Sequence, residues 1–358
     1  MQSGSEKILF SGLKRQYQNL KPEILAAVDR VYTSGQVLSG PFTTALEKDI
    51  AVRTNRKHAI AVNSCTQALQ FSLWSLNNSV VILPTFSFVA TRNVVLLENK
   101  TPVFIDVDSN GILDIAGLDL PGIQSNNITL MYVNLYGNMI DYDKLQTVIT
   151  LFSNKNVSII EDAAQSFGGS YKGIPSGKLG LISCLSFDPT KNLPSYSSGG
   201  MVLTDDDELA TVIRRRAKVS EDSIESVGTN SQMSESSAAQ LLVKLQYFDS
   251  WQKRRTDIAA YYTDRLDGTK IRLPTHSPDV IHAWHKYVIR CTPATNYELQ
   301  KKLSDYNIET KIHYRYTLGA VTVPESRTSV LSLPIYPELT DVEVERVAAT
   351  IAKIVSRY

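Results

Sequence analysis

The sequence predicts an α/β fold with a mostly parallel central sheet, helices on both of its faces and a smaller C-terminal α/β domain. Two patterns carry that expectation. Through the first two thirds of the chain, short apolar runs alternate with stretches of helical spacing. The runs are apolar on both faces, as strands covered on both sides must be. Near Ser220–Ser237 the composition changes to Ser and Glu with few apolar residues, and a different order of elements follows. The expected division is residues 1–245 and 246–358.

Taken in order, Pro22 to Val31 and Thr43 to Val52 have helical apolar spacing. His58 to Val62 reads as a strand, Thr66 to Leu76 as a helix, Val80 to Leu83 as a strand and Ser87 to Leu97 as a helix. Pro102 to Ile105, Ile128 to Val133 and Val157 to Ile160 complete the apolar strands. Leu209 to Val219 looks helical. Ser220–Ser237 reads as a loop or linker. Ala238 to Leu266 reads as one helical stretch. Ala283 to Arg290 and Glu309 to Tyr314 look like strands, and Asp341 to Tyr358 is an amphipathic terminal helix. No internal repeat is visible.

Composition narrows the classes of function. The chain has 358 residues, 43% hydrophobic and 20% charged, within the ordinary globular range. Its formal net charge is +1, so no broad field favours nucleic acid or an anionic membrane. The basic run Arg214-Arg215-Arg216 reads as a helix face. Three widely spaced cysteines, Cys65, Cys184 and Cys291, form no CxxC pair. That argues against a disulfide framework or a zinc site and fits a reducing cytoplasm. No apolar run reaches the roughly 18 residues a membrane helix needs. His282 and His285 fall on opposite faces of the expected strand, which disfavours a metal site with His276.

Chemistry-bearing residues sit just after the apolar runs, where ligands of such sheets collect. Asn63-Ser64-Cys65-Thr66 joins a strand to a helix. Amides at a helix N-terminus with hydroxyls beside them suit a phosphate, although Ser or Thr there is also an ordinary cap. Glu161-Asp162 ends an apolar strand. One of the two carboxylates should point inward, and a buried one needs a cation, unless the Asp only caps a helix. Ser186 and Lys191 lie in a loop between an apolar strand and Gly199-Gly200. A lysine amine becomes a nucleophile once burial or a neighbouring cation lowers its pKa.

In this order and spacing the motifs resemble the DegT/DnrJ/StrS family of sugar-nucleotide aminotransferases. The likeness runs from Gly35 to the final helix. It includes Ser39-Gly40-Pro41 before a helix with Glu47, Lys57 to Val62 leading to the phosphate turn, and Pro84-Thr85-Phe86-Ser87-Phe88-Val89-Ala90-Thr91. Asn134-Leu135-Tyr136-Gly137, Glu161-Asp162-Ala163-Ala164-Gln165, Gly228-Thr229-Asn230-Ser231 and Ile312-His313-Tyr314 complete it. The resemblance implies the fold-type I aminotransferase architecture and pyridoxal 5'-phosphate. It implies that Lys191 carries the cofactor covalently and then moves a proton. Asp162 would pair with the ring nitrogen and Gln165 with the ring oxygen, and Phe88 would stack on the ring. Cys65, Thr66 and Ser186 would hold the phosphate. Asn230 would reach it from the neighbouring subunit of a homodimer with shared active sites. Gly35, His313, Tyr314 and Arg315 would meet substrate.

Some residues depart from the family pattern. Cys65 replaces the usual glycine of the phosphate turn and narrows the space there. Gln232 stands where an arginine is common. Arg315 stands where proline is usual, either to bind a substrate carboxylate or diphosphate or simply solvated. Relatives that dehydrate carry histidine in place of the lysine, so Lys191 favours transamination. The implied reaction aminates a nucleotide-linked keto sugar, leaning to a dTDP- or UDP-4-keto-6-deoxyhexose, with glutamate as donor. The product would serve deoxyamino sugar biosynthesis, such as that of a lipopolysaccharide, in the cytoplasm. A 3-keto sugar enzyme and a non-catalytic sensor or scaffold of the same fold are the alternatives. A dinucleotide-binding oxidoreductase would need a GxGxxG turn, which is absent.

Overall fold

A computed structural model describes residues 6–118, 122–151, 154–219, 227–291, 296–319 and 329–356. Its centre is a seven-stranded sheet formed by β1 (His58–Val62), β2 (Val80–Pro84), β3 (Thr101–Ile105), β4 (Asn127–Val133), β5 (Asn156–Asp162), β8 (Ile182–Ser186) and β9 (Gly200–Thr204). The order across the sheet is β1-β9-β8-β5-β4-β2-β3. The pairs from β8 through β3 are parallel, and β9 runs antiparallel to both neighbours.

Strand alternation assigns side chains to two cores. Ile60 of β1 and Val202 of β9 enter an apolar cluster with α3 (Cys65–Ser75), α4 (Ala90–Leu97) and α6 (Asp207–Arg216). Ala59, Ala61, Met201 and Leu203 face the other way, against α2 (Pro41–Arg53) and α7 (Glu235–Leu245). The sheet is therefore covered on both faces, as its apolar strands require. Arg214 pairs with Glu47 at 3.0 Å and Arg216 lies over the Trp74 ring, so two members of the basic run serve contacts within the fold.

The C-terminal third is built from α8 (Phe248–Leu266), a two-stranded sheet of β11 (Tyr287–Arg290) and β12 (Val330–Leu333), α9 (Asn296–Asp305) and α10 (Asp341–Val355). Short strands β6 (Ser170–Tyr171), β7 (Ile174–Pro175) and β10 (Val280–Ile281) make a third sheet. One apolar cluster holds Ile82, Leu130 and Tyr132 together with Ile258, Leu333 and Ile351. The two parts of the chain thus share a core across residue 245. Among the described residues no helix is long and apolar enough to cross a membrane.

Several elements differ from the sequence reading. The first helix, α1 (Leu13–Ser34), starts well before Pro22 and carries that proline inside it. Leu20, Ile24, Ala27 and Val31 form a buried stripe against α7, and this packing outweighs the lost proline amide. The stretch Ala238 to Leu266 is two helices, α7 and α8, and the loop reading of Ser220–Ser237 gives way to α7 from Glu235, while 220–226 lie outside the described residues. Glu309 to Tyr314 is not a strand: Lys311 makes only an isolated bridge to Ser332. The buried run Val330–Leu333 takes the ladder with β11 instead. Ala283 to Lys286 is irregular, so His282 and His285 do not lie on strand faces; His282 stacks on Trp284 at 4.0 Å. The helices α5 (Tyr142–Leu151) and α9 and the strand β12 were not read from the sequence. The terminal helix ends at Val355, and 357–358 lie outside the described residues.

Candidate active site

The turn from β1 into α3 forms one wall of the site. Ser64 caps α3: its hydroxyl accepts from the Gln67 amide at 3.1 Å and its carbonyl from the Ala68 amide at 3.0 Å. Cys65 and Thr66 begin the helix, where no carbonyl four residues back is in register, so their amides are available to an anion. Cys65 takes the first helical position without positive φ, so its Cβ is accommodated in the turn. Gly200 on β9 comes so close to this turn that a Cβ there would lie 2.3 Å from the Ser64 carbonyl carbon. Burial pushes the Cys65 thiol well up, so it is a neutral group.

Both carboxylates at the end of β5 are buried, where the sequence suggested one. Glu161 is satisfied without a direct cation: it accepts from Asn134, Ser176 and Ser183 side chains and the amides of Gly177 and Leu179. Asp162 turns to the opposite side of the strand, into the cavity. Among the described residues it accepts only from Thr91 Oγ1 at 3.2 Å and the Ala164 amide at 3.1 Å. Burial raises its pKa, and the Ala164 amide, Lys191 and Thr91 offset this in part. A buried carboxylate with two neutral donors has room for a cationic partner.

Lys191 projects from the loop that follows β8. The Phe187 amide bonds to the Gly199 carbonyl at 2.8 Å and the Ser195 amide to the Phe187 carbonyl at 2.8 Å, which close the base of that loop. The Lys191 amide donates to the Asp188 carbonyl at 2.9 Å. Burial lowers the pKa of the Lys191 amine, with Cys65, Asp162 and Asp188 opposing. An amine whose pKa is lowered by burial, in the same cavity as a carboxylate, suits nucleophilic and proton-transfer chemistry.

These groups line one cavity of about 430 Å³, together with Cys65, Thr66, Phe88, Gln165, Ser186, His313 and Tyr314. The Gln165 amide is fixed between the Tyr136 backbone amide, 3.0 Å from its oxygen, and the Tyr314 hydroxyl, to which its nitrogen donates at 3.1 Å. Phe88 is 48% exposed and its ring centroid lies 5.8 Å from that of Tyr314, so one face is open. Gly35, Asn230 and Arg315 do not line the cavity. Gly35 ends α1 with φ of 71°, Asn230 is exposed, and Arg315 lies over the Tyr297 ring. Among the described residues no cluster of His, Cys, Asp and Glu has metal-binding geometry.

The donor set fits a pyridoxal phosphate. A helix N-terminus with a close glycine approach can take a phosphate, a buried carboxylate can take a ring cation, and a lysine amine lies in the same cavity. The sequence reading gave no role to Thr91, the partner of Asp162, although it stands inside a quoted motif. It also passed over Phe10, Arg255, Lys286 and Lys311, and read His285 only as a structural or substrate-rim residue; all five line the cavity. Their only sequence signal is a lysine set among apolar and aromatic residues, as in Trp284-His285-Lys286-Tyr287.

Comparison with known proteins agrees with this geometry. Residues 18–352 match the model of the DegT/DnrJ/EryC1/StrS aminotransferase family. The chain is 33% identical to a UDP-2-acetamido-2-deoxy-3-oxo-D-glucuronate aminotransferase of Pseudomonas aeruginosa, covering 96% of this chain and 99% of that one. It is 34% identical to a dTDP-3-amino-3,4,6-trideoxy-alpha-D-glucose transaminase of Streptomyces venezuelae, covering 93% and 92%. The solved structure of S. venezuelae DesV with a ketimine intermediate superposes with a TM-score of 0.92 at 32% identity, over 99% of this chain and all of that one.

Proposed function

Because this chain belongs to the DegT/DnrJ/EryC1/StrS aminotransferase family and is a pyridoxal-phosphate-dependent aminotransferase, we propose that it aminates a nucleotide-linked keto sugar with glutamate as donor. The observation that carries this reading is the meeting of Lys191, Asp162 and the α3 N-terminus in one cavity. When bound, the cofactor supplies an electron sink at the reacting carbon and carries the amino group between the two substrates.

Lys191 would hold the cofactor through Nζ, and its amine would take and return the proton at the reacting carbon. Its lowered pKa supports that duty, since a base must be free of its proton. Asp162 takes the ring nitrogen, oriented by Thr91 and the Ala164 amide. Gln165, already held by Tyr136 and Tyr314, keeps an N–H for the ring oxygen. The amides of Cys65 and Thr66 and the Ser186 hydroxyl take the phosphate. Phe88 covers the ring and excludes water.

Asn230 serves the site of a second subunit. Its exposure, and its position outside its own cavity, support a role in trans within a homodimer. Residues 1–245 form the cofactor-binding unit and 246–358 the smaller one. His313 and Tyr314 meet substrate, while Gly35 and Arg315 act at the substrate rim. The relatives named for 3-oxo and 3-amino sugars favour amination at C3 over a 4-keto-6-deoxyhexose.

The visible absorption of purified, cofactor-loaded protein tests the reading. A yellow band that glutamate bleaches, lost or altered in Lys191→Ala, is expected. Absence of any such band in the loaded wild type would overturn it.

A further inference from the structure

Beyond the residues assigned above, the cavity has a basic end that those roles leave unused. Lys286 is buried, 6% exposed, yet it lines the cavity. Its Nζ lies 3.0 Å from His285 Nε2 and 5.8 Å from the Phe10 ring centroid. Lys311 approaches the same ring, with Nζ at 5.2 Å. The His313 ring lies 5.6 Å from Phe10, its Nδ1 2.8 Å from Ser332 Oγ. Among the described residues, none of the ion pairs includes Lys286 or Lys311.

His285 explains how Lys286 is held. Its Nδ1 faces Asn192 Oδ1 at 3.3 Å, which makes Nδ1 the protonated nitrogen and leaves the Nε2 lone pair for an N–H of Lys286. The Asn192 amide is itself fixed by Ala283 and Gln252, so the bond chain is anchored next to Lys191. Burial and Lys286 push His285 well below its ordinary range, consistent with that neutral tautomer. A neutral imidazole orients the ammonium but does not balance its charge. Two lysines therefore meet at one aromatic ring, neither within ion-pair distance of a carboxylate among the described residues; burial lowers the Lys286 pKa well below its ordinary value, with Asp188 opposing, and an arriving anion would favour its charged form.

We propose that Lys286 and Lys311, gathered around Phe10, form a subsite for a carboxylate carried by one of the reacting substrates. This rests on the aminotransferase reading above. A carboxylate matches a buried lysine amine and an exposed ammonium at the wall of one cavity. It has two sources, the amino donor or a uronate form of the keto sugar. A relative named for a 3-oxo-glucuronate shows that acceptors carrying a carboxylate occur among similar proteins.

Calorimetric titration of cofactor-loaded protein separates the sources without relying on turnover. The probes are glutarate, UDP-glucuronate and UDP-glucose, used with wild type, Lys311→Met, and the Lys286→Met/Lys311→Met double variant. If the carboxylate belongs to the sugar, wild type prefers UDP-glucuronate over UDP-glucose by about 10- to 100-fold, and the double variant loses that preference while glutarate is unaffected. If it belongs to the donor, glutarate weakens by a similar factor and the two nucleotides do not separate. Either result supports the subsite, and Lys311→Arg should restore most of the binding. Unchanged binding of both carboxylates in the double variant overturns it. Lys311 is exposed, so its single variant keeps the test valid should Lys286→Met fold poorly. Bleaching by glutamate in the same wild-type sample tells the failure of this subsite from failure of the aminotransferase reading.

Discussion

Gly200 and Ser64 are in backbone contact: a Cβ on residue 200 would lie 2.3 Å from the Ser64 carbonyl carbon and 2.4 Å from the Cys65 nitrogen. The start of β9 thus presses on the turn that opens α3. These neighbours are main chain, so they cannot swing aside as a flexible side chain would. Gly200→Ala must displace the helix N-terminus. Overpacking of this kind costs about 1–3 kcal/mol. The expected outcome is a lower melting temperature together with pyridoxal phosphate affinity weakened by about 10-fold or more, since phosphate amides tolerate little misplacement. Absorbance titration of apoprotein and thermal melting measure the two effects. Unchanged affinity would mean that the turn does not hold the phosphate.

Asp162 makes the apoprotein pH-sensitive in a direction opposite to most carboxylates. Burial raises its pKa, so the folded state keeps the proton more tightly than the unfolded chain. Stability contributed this way is present at low pH and is lost as pH rises through the ordinary carboxylate range to the raised value. Asp162→Asn has no proton to lose. Near neutral pH its apoprotein should melt higher than wild type, with a flatter dependence on pH. Turnover should fall by about 10²–10³, the scale for removing one fixed electrostatic partner of a reacting centre. A variant with both wild-type stability and wild-type turnover would remove Asp162 from the site.

Much of this arrangement was legible because the parallel strands bring their ends together. Asp162 and Ser186 end strands, and Lys191 follows one, so reading each apolar run to its last residue located them. Thr91 and Lys286 were harder. Thr91 acts on Asp162 across 71 positions of sequence, a distance that no local period encodes. Lys286 owes its place to the irregular backbone of Ala283 to Lys286, where strand alternation gives the wrong facing. β12 was overlooked because Glu309 to Tyr314 also alternates; there Glu309 accepts from the Phe10 amide and Lys311 lines the cavity, while Val330–Leu333 is buried throughout. Pro22 misplaced the start of α1 because the local rule against proline yields to a buried stripe of four residues.

Arg15 and Glu343 join the first helix to the last. The guanidinium makes two parallel bonds to the carboxylate, at 2.8 and 2.6 Å, and Glu343 also completes the capping box with Thr340. The bond to Arg15 draws the Glu343 carboxyl down to about 2. A depressed carboxyl stabilises the fold above its ordinary value of 4.5, and that stability is lost as pH falls toward about 2. Arg15→Met should cost about 1–2 kcal/mol at neutral pH, after allowance for partial exposure of the arginine. It should also flatten acid unfolding between pH 4.5 and 2. Denaturant curves across that range, repeated in Glu343→Gln and in the double variant, isolate the pair. Simple additivity of the two single changes would show that the contact contributes nothing.

Lys244 supplies a base-side counterpart beneath the Lys191 loop. The side chain is fully buried, its Nζ donates to the Pro194 carbonyl at 2.6 Å, and it lies 3.6 Å from the Tyr196 ring centroid. Burial lowers its pKa to about 7, against the attraction of Glu338. The unfolded chain keeps this proton up to its ordinary value of 10.5. Between the two values the unfolded state holds more protons, so stability due to Lys244 rises with pH across that window. Lys244→Met keeps the volume and removes the titration. The variant's stability should change less than that of wild type between pH 7 and 9, and the loop that carries Lys191 should loosen for want of the Pro194 contact. Urea unfolding at pH 7, 8 and 9 gives the slope. Hydrogen exchange at the amides of Lys191 and Ser195 reports the loop, and faster exchange there with equal global stability would place Lys244 as the residue that positions the catalytic lysine from below. An unchanged slope would mean that the amine keeps its proton in the fold as it does in the unfolded chain, and unchanged exchange at Lys191 and Ser195 would remove the positioning role.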